Sequence, residues 1–217
     1  MGNGLIRQKI FQELRKDILS CTLLPGEEVR EIELANRFGV SKSPIRDALQ
    51  RLEFEGLIEI VPRQGHRIAP ISVADAEDML NLREILEAGA IRNITSQADD
   101  ATLAQLDDFR DQDTTNVPDF AEYNRLFHMH LCAISGNKRL ADTMRSLMEN
   151  YDRLCVVSLT SARTESGGMD DALVDHNAII DALQDRNTSA AVRASGRHIR
   201  KSHGQVMRGL RKRQVVA

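Results

Sequence analysis

Asn124 and His128 stand four residues apart in the stretch FAEYNRLFHMHLCAISGN, one turn of a helix from each other. They border an apolar stripe of Phe120, Tyr123, Phe127, Leu131 and Ile134. Two more histidines take comparable positions later in the chain. His176 aligns with Leu173, Ile180 and Leu183, and His198 follows Ala191, Ala194 and Ser195. Three helices can therefore aim one amide oxygen and three imidazole nitrogens into a shared cavity. A buried imidazole needs partners for both ring nitrogens. A metal ion satisfies one and an outer hydrogen-bonding group the other. A hydrogen-bonded core histidine satisfies both without an ion, and spacing alone leaves the two open. The remaining histidines fit a ligand role less well: His130 points away from His128, His66 falls on a hairpin, and His203 lies near the chain end.

A different chemistry is carried by GVSKSPIRDALQRLEFEGLIEI, from Gly39 to Ile60. Ile45, Ala48, Leu49 and Leu52 recur at helical spacing, while Lys42, Arg46, Gln50 and Arg51 occupy the other side. Such a helix can enter a DNA groove or face solvent. Gly56 then stops it, and a short β-prone run begins at Leu57.

The elements around these residues are mainly α. A helix from about Leu5 to Ser20 carries Ile6, Ile10, Phe11, Leu14 and Ile18 inward. A second covers Glu31 to Phe38 and ends at Gly39. A third starts with Ser41 or Ser43 as its cap, with Pro44 tolerated in its first turn. Strands at Ile58–Val61 and Arg67–Ala69 flank a turn in which Gly65 supplies backbone freedom. Three helices and a hairpin within about 70 residues make a winged helix-turn-helix, whose second helix-turn-helix member faces the major groove. From Ser72, a helix cap followed three residues on by Asp75, only helices follow. They are expected over 73–94, 99–112, 118–135, 137–162, 170–185 and 188–207, an all-helical bundle.

Charge is divided in the same way. Residues 1–70 hold 11 Lys and Arg against 10 Asp and Glu, whereas residues 71–200 hold 13 against 22, so any phosphate-binding surface belongs to the first part. The last 17 residues hold 5 basic and no acidic side chains, consistent with a basic flexible tail over 211–217. Three cysteines at unrelated positions form neither a disulfide framework nor a thiolate site. Without an apolar run of spanning length or a signal-peptide core, no membrane association and a cytoplasmic location are expected.

The run from LRKDILSCTLLPGEEV to PRQGHRIAP resembles the winged-helix domain of GntR-family bacterial transcription regulators, most specifically in LPGE, ELANRFGVSKSPIRDAL, LEFEGLI and the glycine of PRQGHRI. LREILEAGA, NRLFHMHLCAISGN and DHNAIIDALQDRNTSAAVRASGRHI resemble the helical sensor domain of its FadR-like branch, called FCD. Six sensor helices look more like the VanR-like subdivision. The resemblance implies a DNA-binding domain over 1–70 and a ligand-sensing, dimerising domain over 71–210. It implies a homodimer on a palindromic double-stranded operator, released or repositioned by a small effector. By motif position it places DNA contacts at Lys42, Ser43, Arg46 and Arg51, and at Gly65 and His66 of the wing. Ile32 departs from the polar residue common in relatives. The resemblance also places a divalent metal on Asn124, His128, His176 and His198, with Asn where Asp is commoner. Three imidazoles and an amide favour Zn or Ni over Mg. Arg83 matches an arginine that lines this cavity and can pair with an effector carboxylate. A surface or inter-helix salt bridge is the other role open to it.

Two other functions compete with this one. Three histidines around a metal with open positions can activate water, but the bundle supplies no evident general base, and a metalloenzyme leaves the winged helix unexplained. A protein-binding module that has lost DNA binding conflicts with the basic and polar face of residues 42–51. The expectation is a regulator, not an enzyme.

Overall fold

The computed structural model describes residues 3–63, 65–112, 116–161 and 168–211. The chain divides into two compact units, one running through Ile71 and one beginning at Ser72.

The first unit contains α1 (Asn3–Leu19), β1 (Glu28–Val29), α2 (Glu31–Phe38), α3 (Lys42–Phe54), β2 (Ile58–Val61) and β3 (Gly65–Ile68). α1 and α3 pack face to face because each carries an apolar stripe. Ile10, Leu14 and Ile18 meet Ile45, Leu49 and Leu52 in one core, closed by Leu57, Ile58 and Ile68 from the sheet side. Each such side chain contributes about 1.5–3 kcal/mol on full burial. The turn between α2 and α3 depends on Gly39, whose φ of 65° is left-handed and whose N–H caps Ala35 and Asn36 carbonyls. Ser41 is the N-cap of α3, but its side chain makes no capping hydrogen bond.

The hairpin is part of a three-stranded antiparallel sheet in the order β1-β3-β2, with Glu28 opposite Arg67 and Ile60 opposite His66. β1 was not expected from the sequence. A two-residue strand has no alternation to detect; it exists because β3 offers it an edge and Val29 reaches the core.

The second unit is helical: α4 (Val73–Gln97), α5 (Asp100–Ala104), a 3-10 turn (Gln105–Phe109), α6 (Val117–Ala133), α7 (Lys138–Ser161), α8 (Gly168–Gln184) and α9 (Thr188–Arg211). Ser72 caps α4 by accepting from the Asp75 N–H at 3.3 Å, and Asn116 caps α6 through the Asp119 N–H at 2.9 Å. The continuous helix expected over 99–112 is a correction. Leu103, Leu106 and Phe109 recur every third residue, which suits the 3-10 period, and the first two are buried. α9 packs against α4, α7 and α8, and α6 against α4 and α7, so α4, α6, α8 and α9 bring their polar residues to one place. α9 runs on to Arg211; residues 212–217 of the expected tail lie outside the described residues.

Candidate functional site

His128 on α6, His176 on α8 and His198 on α9 are all buried, and each offers a ligand nitrogen within 4.8 Å of the other two. Their Nδ1 atoms face protein groups. His128 Nδ1 lies 2.8 Å from Glu87 Oε1, and His176 Nδ1 lies 2.7 Å from the Tyr123 hydroxyl. His198 Nδ1 lies 3.8 Å from Asp175 Oδ2. That leaves Nε2 on the inner side, and the Nε2 atoms of His176 and His198 are 3.2 Å apart. Two nitrogens bound to one ion at ~2.1 Å stand about 3.0–3.4 Å from each other. The spacing of this pair therefore fits two ligands of a single transition metal, and the three histidines together could hold such an ion once the Arg83 guanidinium withdraws from His128 Nε2.

Electrostatics keep the three imidazoles neutral, although at His128 the Arg83 guanidinium occupies the Nε2 lone pair. Burial, reinforced by the Arg83 cation, holds the His128 imidazole down to about 3 despite the pull of Glu87. Burial likewise holds His176 and His198 below the usual range, the latter partly offset by Asp175. Neutral imidazole is the metal-binding form. Phe127 stacks on His176 with ring centroids 4.2 Å apart and walls off that side. Asn124, one turn before His128, is also buried and shares with His198 the lining of a cavity of about 290 Å³. That volume suits a small organic molecule.

Arg83 is fully buried. Its partner is Glu87 on the same helix, where Nε donates to Oε1 at 2.7 Å. Nη2 contacts His128 Nε2, and Nη1 is buried without a hydrogen-bond partner among the described residues. Burial pushes the Glu87 carboxyl up, but His128 and Arg83 together hold it well below the usual carboxylate range. Ser195 donates to its other oxygen at 2.7 Å. Glu87 was missed from the sequence. The signal was present: Leu80, Arg83, Glu87, Ala90, Ile91 and Ile94 form one helical stripe, so both charges had to be buried together.

In the first unit, α3 presents Lys42, Ser43 and Arg46 on one exposed face. Arg46 Nε lies 2.9 Å from both Glu31 oxygens. Arg51 is placed differently: its guanidinium sits 3.7 Å above the Phe11 ring centre and donates to Gln8 Oε1 at 2.9 Å. Gly65, at φ 108°, opens β3, and the half-buried His66 follows it. Ile32 is half exposed on α2.

Residues 6–68 match bacterial regulatory proteins of the gntR family, and residues 78–201 match the FCD domain. The chain belongs to the GntR family. The HTH-type transcriptional repressor RspR of Escherichia coli K12 is 30% identical over 199 residues, covering 89% of this chain and 86% of that protein. A GntR-family regulator from Pseudomonas syringae pv. tomato DC3000 has a solved structure with 29% identity and a TM-score of 0.57, spanning 97% of this chain and 88% of that one. E. coli McbR/YncC superposes with a TM-score of 0.76 over 94% of this chain and 97% of its own; at 16% identity this likeness concerns the fold alone.

This GntR-family protein with an FCD domain is thus a ligand-responsive, DNA-binding transcription regulator rather than an enzyme. Its first unit is the winged helix-turn-helix and its second the FCD-type bundle, whose His128, His176 and His198 cluster can coordinate a metal ion. Among the described residues, no helix is long and apolar enough to cross a membrane.

Proposed function

We propose that this regulator is a cytoplasmic homodimeric repressor of the VanR-like subdivision of the FadR-like branch, released from a palindromic operator by a small carboxylate. In this reading residues 1–70 hold DNA and residues 71–210 sense the acid and dimerise. Lys42 and Ser43 grip phosphates, Arg46 reads a guanine edge, and Gly65 and His66 bring the wing against the backbone or minor groove. Arg51 reaches DNA only by giving up part of its stacking on Phe11.

The observation that carries the sensing half is that three buried histidines each offer a nitrogen within 4.8 Å of the other two, with His176 Nδ1 already held by the Tyr123 hydroxyl. Asn124, His128, His176 and His198 would hold a divalent transition ion, with Zn or Ni suited to this nitrogen-rich set. When bound, such an ion supplies positive charge and open coordination positions for a carboxylate. Arg83 supplies a second fixed cation there, and its unpartnered Nη1 can donate to the acid. The acid changes operator affinity only as far as it prefers one arrangement of the dimer over the other. That the similar protein RspR is a transcriptional repressor supports the direction of control.

Metal analysis and calorimetry on wild type, His176→Ala and Asn124→Asp test this reading. His176→Ala should lose bound metal and its acid response while retaining operator affinity. Asn124→Asp should tighten the metal and weaken the anionic ligand. Full acid binding to verified metal-free protein refutes the metal-centred sensor.

A further inference from the structure

α9 carries two arginines that fold back over glycines one turn earlier, and their surroundings differ. A Cβ placed on Gly196 would stand 3.0 Å from Arg200 Nη1, and one on Gly204 would stand 3.3 Å from Arg208 Nη1. In both, the missing side chain leaves room for a guanidinium lying toward the helix N-terminus, the direction in which helical side chains lean. Arg200 donates to Glu84 at 2.6 Å and is neutralised there. Lys201, which also lines the cavity, is neutralised by Asp175 at 2.8 Å. Arg208 lines the same cavity, and among the described residues no carboxylate lies within ion-pair distance of it.

His198 and Arg208 both line the cavity from one helix, and the Arg208 guanidinium lies at the level of Gly204, six residues or roughly 9 Å along the axis beyond the His198 backbone. Between them the lining is polar on α9, with Ser202 and Gln205, and the Tyr151 hydroxyl is tied to Ser202 at 2.5 Å. An acid held at the histidine end and long enough to fill the cavity brings its far end to a cation that no carboxylate among the described residues balances.

We propose that Arg208 reads a second acid group, so that the effector is a linear dicarboxylate and not a monocarboxylate. This rests on the reading that the histidine end takes the first carboxylate. Asp171 also lines the cavity, from α8. It opposes an anion and would favour an ammonium group, so the two side chains make contrary demands on the far end of the ligand. Arg208 prevails because its guanidinium is planar and forked, matching a carboxylate with two parallel hydrogen bonds.

The test is calorimetric titration of the metal-loaded, full-length protein with hexanoate, adipate, succinate and ε-aminocaproate, in wild type and Arg208→Gln. Wild type should bind adipate at least tenfold more tightly than hexanoate. Succinate, too short to span the two ends, should gain nothing from its second acid. Arg208→Gln should bring adipate down to the hexanoate level and leave hexanoate unchanged, which separates lost recognition from lost folding. Equal affinity of wild type for adipate and hexanoate overturns the proposal, as does an adipate preference that survives Arg208→Gln. A preference for ε-aminocaproate assigns the far end to Asp171 and overturns it as well. Binding of none of these acids, with the metal verified, defeats the carboxylate-at-metal reading and this proposal together, whereas metal-dependent hexanoate binding without an adipate advantage defeats this proposal alone.

Discussion

In the winged unit the buried core is built from Ile, Leu, Val, Phe and Ala, and charged groups such as Lys42, Arg46 and Glu31 stay in contact with water. In the helical unit Arg83, Glu87, Asn124, His128, His176 and His198 sit at the centre of the bundle with 3% exposure or less. Among the described residues, every buried polar or charged side chain belongs to this second unit. The difference reflects what each unit meets. A surface that binds a phosphate backbone keeps its cations hydrated and accessible. On the proposed reading, a sensor that encloses a small anion has to keep charge inside, where each group needs a partner or stands unsatisfied.

The contrast can be broken most directly at Glu87. Removing it in Glu87→Ala strands the Arg83 cation, and we expect about 3–5 kcal/mol of lost stability in the helical unit. The double substitution Arg83→Met with Glu87→Leu should recover most of that loss, because well-packed apolar side chains replace a buried pair at little net cost. Thermal and denaturant unfolding of the metal-free protein measure both; a Glu87→Ala protein as stable as wild type would show that the pair is not held inside.

The surface side of the comparison gives the opposite pattern. Arg46 is largely exposed in its pair with Glu31, so Arg46→Ala should leave the unfolding midpoint nearly unchanged, as exposed pairs contribute only ~0–1 kcal/mol. It should weaken operator binding by roughly 1–3 kcal/mol and relax preference at one base position. Arg51→Ala should shift the balance toward stability, by ~0.5–1 kcal/mol, because its cation rests on Phe11. Fluorescence anisotropy on operator DNA beside a melting curve separates the two. Equal profiles for Arg46 and Arg51 would erase the distinction.

Asp152 offers the smallest effect and a pH dependence. It pairs with Arg125 at 2.9 Å, yet burial outweighs that cation and pushes its carboxyl up to about 7. The folded state keeps a proton that the unfolded chain releases near pH 4. The stability this contributes is fully present below about pH 4 and is lost as pH rises through about 7. Asp152→Asn should make the decline over this window shallower by about 1–2 kcal/mol, an amount limited by the pair's remaining solvent contact. Melting curves from pH 4 to 8 read it out, and an unchanged slope would remove Asp152 from the account.

Helix positions were legible because periodicity is a property of one segment at a time. Ile10, Leu14 and Ile18 in α1, or Phe120, Tyr123, Phe127 and Leu131 in α6, mark their buried faces without reference to any other element. His128, His176 and His198 were legible as inward-facing for the same reason. β1 was not, since a pair of residues has no period of its own.

What only the tertiary structure decided is which inward groups meet. Glu87 and His128 are 41 residues apart in the numbering, and Tyr123 and His176 are 53 apart, yet each pair is within hydrogen-bonding distance. The same holds for Arg51, whose guanidinium lies over Phe11 and joins the packing between α3 and α1. Helical period sets the direction of a side chain about its own axis. The partner at the end of that direction depends on how neighbouring helices are shifted and rotated against each other, which is settled by the packing of whole apolar faces. The sequence by itself determined that three imidazoles face inward and that a basic helix face exists; packing decided that they converge, with the Tyr123 hydroxyl on His176, Glu87 beside His128 and the Arg83 guanidinium against the inner nitrogen of His128.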